Sequence, residues 1–61
     1  MIELTKMSGR KVLVNPELIE LVEETPDTVV LFNTGRKIIV KESRQENKNL
    51  VKSYRKDIFA D

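Results

Sequence analysis

The sequence predicts an α+β fold that is mainly β. About five short antiparallel strands fall at residues 1–6, 10–14, 18–24, 27–33 and 36–41, forming a curled sheet or small barrel, with one C-terminal helix over 43–59. Three observations carry this expectation. Apolar residues run in short alternating or β-branched stretches through the first two-thirds of the chain. Turn-forming residues separate those stretches at Ser8-Gly9, Asn15-Pro16, Thr25-Pro26-Asp27 and Asn33-Thr34-Gly35. Neither Gly nor Pro occurs after Gly35, and the apolar spacing beyond Ser43 becomes helical.

Ile2-Glu3-Leu4-Thr5 alternates as a half-buried strand does. Ser8-Gly9 supplies a tight turn, and Lys11-Val12-Leu13-Val14 returns as the second strand of a hairpin. Asn15-Pro16-Glu17-Leu18 reads as one helical turn or a β-turn, with Asn as N-cap and Pro at the first helical position. Ile19–Glu24 follows as a third strand, with Ile19 and Leu21 on one face and Glu20 and Val22 on the other. A helix from Pro16 to Glu24 is the competing reading. Pro26 suits the second position of a type I turn. Thr28–Phe32 is β-branched or aromatic except at Leu31, the strongest strand signal in the chain. Asn33-Thr34-Gly35 fits a three-residue hairpin loop with Gly in the left-handed position, and Lys37–Lys41 returns. Ser43-Arg44-Gln45-Glu46 is a capping box that starts the helix. Leu50, Val51, Tyr54 and Ile58 form the stripe expected to dock on the sheet. Phe59 lies on the other side, as a partner contact or a frayed end.

The 61 residues suit a single small domain without a linker. A strand pattern that starts almost at Met1 is read as a complete chain. The N-terminus does not read as a signal peptide, and no apolar run is long enough to span a bilayer. Cys and His are both absent, which excludes disulfide staples and imidazole or thiolate metal sites. The serines have no imidazole to activate them, and the carboxylates follow no metal-loop pattern. We therefore expect no catalytic residue, no cofactor and no metal.

Net charge is +1, but it is unevenly distributed. Residues 1–35 carry three cations and six anions, whereas residues 36–56 carry eight cations and two anions. Arg44, Lys48, Lys52 and Lys56 recur every fourth residue, with Arg55 beside them. One helix face is thereby basic. It reads either as a solvated face whose stems cover the core edge or as a contact surface for an acidic protein, a lipid layer or nucleic acid. In the second hairpin, Val29, Leu31 and Ile39 share the face opposite Val30, Ile38 and Val40. A sheet with one solvated face would alternate cleanly. Here the second face needs a cover, either the curled first hairpin or a second copy of the chain, so Val29, Leu31 and Ile39 are the candidate self-association face.

The chain resembles the FlbD/SwrD family of small flagellar and swarming-motility proteins, nearly end to end. The resemblance rests on Met1-Ile2-Glu3-Leu4-Thr5, the Gly9 turn, Leu13-Val14-Asn15-Pro16-Glu17-Leu18-Ile19-Glu20, Glu23-Glu24-Thr25-Pro26-Asp27-Thr28-Val29, Asn33-Thr34-Gly35-Arg36-Lys37, Val40-Lys41-Glu42-Ser43 and Tyr54-Arg55. It departs at Asn33-Thr34-Gly35, where a two-residue Asn-Gly or Asp-Gly loop is more usual. The resemblance implies a non-catalytic, cytoplasmic protein peripheral to the flagellar motor, supporting motor power through the stator. It assigns no binding residues. Met1–Lys6 is also similar to the start of the CsrA family of dimeric RNA-binding regulators, but the similarity fades after Gly9. The expected function is accordingly a protein-interaction module. An RNA- or DNA-binding regulator using the basic helix is the alternative, and a structural subunit of a larger assembly is the second. The expected contact residues are Arg44, Lys48, Lys52, Arg55 and Lys56.

Overall fold

The structure, a computed structural model, describes residues 1–59. The Phe59 side chain, whose role the sequence left open, lies outside the described residues. The strands are β1 (Ile2–Thr5), β2 (Lys11–Val14), β3 (Ile19–Glu24), β4 (Thr28–Phe32) and β5 (Lys37–Val40), followed by helix α1 (Arg44–Phe59). All strand pairs are antiparallel. β1 and β2 form one sheet, and β3-β4-β5 form the other.

The local chemistry explains most boundaries. The β1–β2 and β4–β5 loops share one design. Lys6 and Phe32 N–H groups donate across the loop to the Arg10 and Arg36 carbonyls, each at 2.8 Å. Gly9 and Gly35 close these turns with φ of 95° and 93°, a region that disfavours a side chain. Asn15 caps a 3₁₀ turn at Pro16–Leu18, its Oδ1 accepting from the Glu17 N–H at 3.1 Å. The chain then enters β3, so the helical reading of Pro16–Glu24 is replaced by a single turn and a strand.

Two details of the second sheet differ from expectation. Ile19 pairs with Phe32, but Leu21 pairs with Leu31, so Glu20 is an extra residue in a β-bulge. The bulge resets the alternation. Ile19 and Val22 both pack against the core, while Leu21 turns outward. The Thr25–Asp27 loop is also not the expected type I turn. The Thr25–Pro26 peptide is cis, and the Thr25 N–H donates to the Asp27 carbonyl at 3.2 Å.

The strands do not close into a barrel. Backbone hydrogen bonds join the two sheets where the end of β1 reaches the end of β5. Lys6 bridges to Val40, the Lys41 N–H donates to the Thr5 carbonyl at 2.8 Å, and the Met7 N–H donates to the Ile39 carbonyl at 3.3 Å. Ile2 and Leu4 from β1 join Val30 and Val40 as the buried core. Val12 and Val14 from β2, Ile19 and Val22 from β3, and Leu50, Val51 and Tyr54 from α1 pack around it. The first hairpin and the helix therefore pack around the same inner core. Neither covers the outer face of β3-β4-β5, because Ile2, Leu4, Val12 and Val14 of the first hairpin and Leu50, Val51 and Tyr54 of α1 are committed to the inner core, while Leu13 is exposed.

Candidate interaction surfaces

Helix α1 begins where the ladder runs out. The ladder at the β1 end has no residue to pair with the Thr5 N–H, because the chain leaves β5 at Lys41. The Glu42 carboxylate takes that place, its Oε1 accepting from the Thr5 N–H at 2.8 Å. Partial burial pushes the Glu42 carboxyl up, but the Thr5 hydrogen bonds, its own backbone N–H and the nearby Lys11 outweigh this. Its pKa is held below the ordinary 4.5.

The capping box forms as the sequence predicts. The Glu46 N–H donates to Ser43 Oγ at 3.1 Å, and the Ser43 N–H donates to Glu46 Oε1 at 3.0 Å. Glu24, at the end of β3, accepts from the Arg44 N–H at 2.6 Å. Three glutamates thus fix the helix start, two of them tying it to β1 and β3. Carboxylates also suit the positive end of a helix.

Asn47 locks the same turn from inside. It is 1 % exposed, and its Nδ2 donates to the Ser43 carbonyl at 2.9 Å and the Glu42 carbonyl at 3.3 Å. Its buried Oδ1 has no hydrogen-bond partner among the described residues. Sequence reading missed this residue because an amide is not counted in an apolar stripe. The signal was its spacing, three and four residues before Leu50 and Val51. At the other end, Ile58 was expected in that stripe but is 52 % exposed.

This anchoring leaves the basic face outward. Arg44, Lys48, Lys52, Arg55 and Lys56 are all exposed. Among the described residues they form no ion pair; the one within 4.0 Å joins Lys11 to Glu3 at 3.9 Å, on the first hairpin.

A second surface lies on the outer face of β3-β4-β5. Register places Glu23, Val29 and Ile39 in one cross-strand row and Leu21, Leu31 and Lys37 in the next. Leu21 is 38 % and Ile39 46 % exposed, with Val29 and Leu31 half-buried. The residues predicted as a self-association face are therefore brought together and left uncovered within the chain. Leu21 joins them through the bulge, which sequence reading did not foresee. A third feature is a cleft of about 390 Å³ between the first hairpin and the β4–β5 loop, lined by Val12, Val14, Leu18, Phe32 and Ile38.

No group of three or more carboxylates among the described residues is placed to hold a metal ion. No described helix is long and apolar enough to cross a membrane.

These features define a small two-sheet α+β domain that presents a fixed cationic helix and an open apolar sheet face. The chain belongs to the FlbD family of flagellar and swarming motility proteins, whose family model matches residues 1–59. No curated protein and no solved structure matches it.

Proposed function

We propose that the protein is a non-catalytic interaction module of the motility apparatus. In this reading it acts in the cytoplasm, at the periphery of the flagellar motor, and supports motor power through the stator. Its contact surface is the cationic face of α1, and its partner presents an acidic protein surface. Family membership over residues 1–59 supplies the motility context. The observation that carries the surface is the exposed row Arg44, Lys48, Lys52, Arg55 and Lys56, unpaired among the described residues. Like charges four apart repel by a few tenths of a kcal/mol each. A row kept despite that cost is ready for anionic groups, with side chains on a helix whose start is fixed at both sheets.

The test replaces Arg44, Lys48 and Lys52 with Glu. All three are exposed, so the fold should survive, as judged by circular dichroism and a thermal melt. Swimming and swarming should be lost in cells carrying the variant at normal protein levels. Full motility with a folded variant would refute the helix as the contact surface. A gel shift at low salt checks the phosphate-binding alternative. A complex that weakens steeply between low and moderate salt would move the reading to nucleic acid.

A further inference from the structure

We infer that the outer face of β3-β4-β5 is a homodimer interface built around one particular two-fold axis. This goes beyond helix docking and does not depend on it. The face is a six-residue grid. Leu21 and Glu23 come from β3, Val29 and Leu31 from β4, and Lys37 and Ile39 from β5. Val29 and Leu31 stand at the centre. Two opposite corners are apolar, Leu21 and Ile39. The other two are charged, Glu23 and Lys37. A shallow hollow of about 320 Å³ on this side is lined by Leu21, Glu23, Thr25, Val29, Leu31 and Lys37.

Two copies packing face to face must be related by an axis lying in the interface. Four axes through the centre of the grid can be compared. An axis along the strands lays Glu23 on the partner's Ile39 and Lys37 on the partner's Leu21. An axis across the strands lays Glu23 on the partner's Leu21 and Lys37 on the partner's Ile39. Both bury charges against apolar side chains, which is costly. An axis along the Glu23–Lys37 diagonal sets each charge against its own copy. The Leu21–Ile39 diagonal avoids these conflicts best. It brings each Glu23 within side-chain reach of the partner's Lys37, gathers Val29 and Leu31 of both copies at the centre, and sets Leu21 and Ile39 each against itself.

That axis also gives an ordinary packing angle. With strands about 4.8 Å apart and residues about 3.4 Å apart, the diagonal makes roughly 55° with the strands. Rotation about it crosses the two sets of strands at about 70°, near the orthogonal class of sheet packing. The grid is small, well under the ~800 Å² per partner of a standard interface. The dimer is therefore weak, and its population depends on concentration.

Sedimentation equilibrium of the full chain from about 10 μM to about 1 mM tests this, in the range expected for a small interface. A shift from monomer to dimer is expected. Ile39→Lys, at an exposed position, sets two cations against each other on the axis and should leave a folded monomer throughout. Glu23→Lys and Lys37→Glu should each weaken self-association by about three- to tenfold, since each creates two like-charge pairs. Mixing these two variants should restore it, because every Lys then faces a Glu across the interface. A chain monomeric at 1 mM overturns the inference. So does a dimer that survives Ile39→Lys, or charge variants whose mixture associates no better than either alone.

Discussion

The Thr5–Glu42 hydrogen bond is where the two sheets and the helix start are tied together, and removing it should be costly for its size. Thr5 turns both backbone groups toward the other sheet. Its carbonyl has the Lys41 N–H, but its N–H has only the Glu42 carboxylate, at 2.8 Å. Hydrogen bonds to charged groups contribute about 1.5–3 kcal/mol. For a domain of this size each kcal/mol shifts Tm by about 4–8 °C. Glu42→Ala should therefore lower Tm by about 6–24 °C, and urea titration at low temperature keeps the loss measurable. Glu42→Gln retains an acceptor but not the charge, so its loss should be near the lower end. The pH dependence separates charge from shape. The folded pKa of Glu42 is depressed, so its contribution is fully present above 4.5 and is lost as pH falls through the folded value. Gln does not titrate. The Tm gap between wild type and Glu42→Gln should thus be widest at neutral pH and should close as the pH falls well below 4.5. A gap unchanged down to pH 3, or an Ala variant that melts with wild type at neutral pH, would refute the reasoning.

Asn47→Ala should cost about 2–4 kcal/mol, because it empties a buried position, leaves the Glu42 carbonyl without its donor and leaves the Ser43 carbonyl only the residue-47 backbone N–H. Asn47→Asp should be worse at neutral pH than near pH 4, since burial beside two carbonyl oxygens penalises the ionised form; chemical denaturation at both pH values measures this. Arg44→Gln removes a cation from the positive end of the helix dipole and should leave stability unchanged or raise it by up to about 1 kcal/mol in a thermal melt. If Arg44 belongs to the contact surface, the same variant should nonetheless reduce motility.

Much of this fold could be read in the sequence because its punctuation is chemically specific. Gly9 and Gly35 each stand where a three-residue loop needs positive φ. Ser43 and Glu46 spell the capping box that forms, and Asn15 caps the turn it was expected to cap. What could not be read depends on contacts distant in sequence. The bulge at Glu20 has no local signature, since it arises from fitting β3 to both Phe32 and Leu31. Glu42 looks like an ordinary linker residue until β1 is placed beside it. Asn47 is polar in composition and core in position. The open outer face follows from where the first hairpin lies, and alternation in β4 and β5 cannot report that.

Several of the carboxylates acquire a different meaning once their partners are known. Glu24, Glu42 and Glu46 all accept from backbone N–H groups around the start of α1. Glu3 pairs weakly with Lys11 on the first hairpin. These carboxylates serve the fold's joints, and their field lies at one end of the helix. The cations run from that end outward, through Lys48 and Lys52 to Arg55 and Lys56. A net charge of +1 therefore understates what a partner meets along α1. The dipole explains Arg55 and Lys56, which lie near the negative end of the helix. It does not explain Arg44 at the first helical position, where a cation is disfavoured, nor Lys48 only one turn on. Those two positions are the part of the row that folding does not ask for. They therefore weigh most for a surface selected by contact.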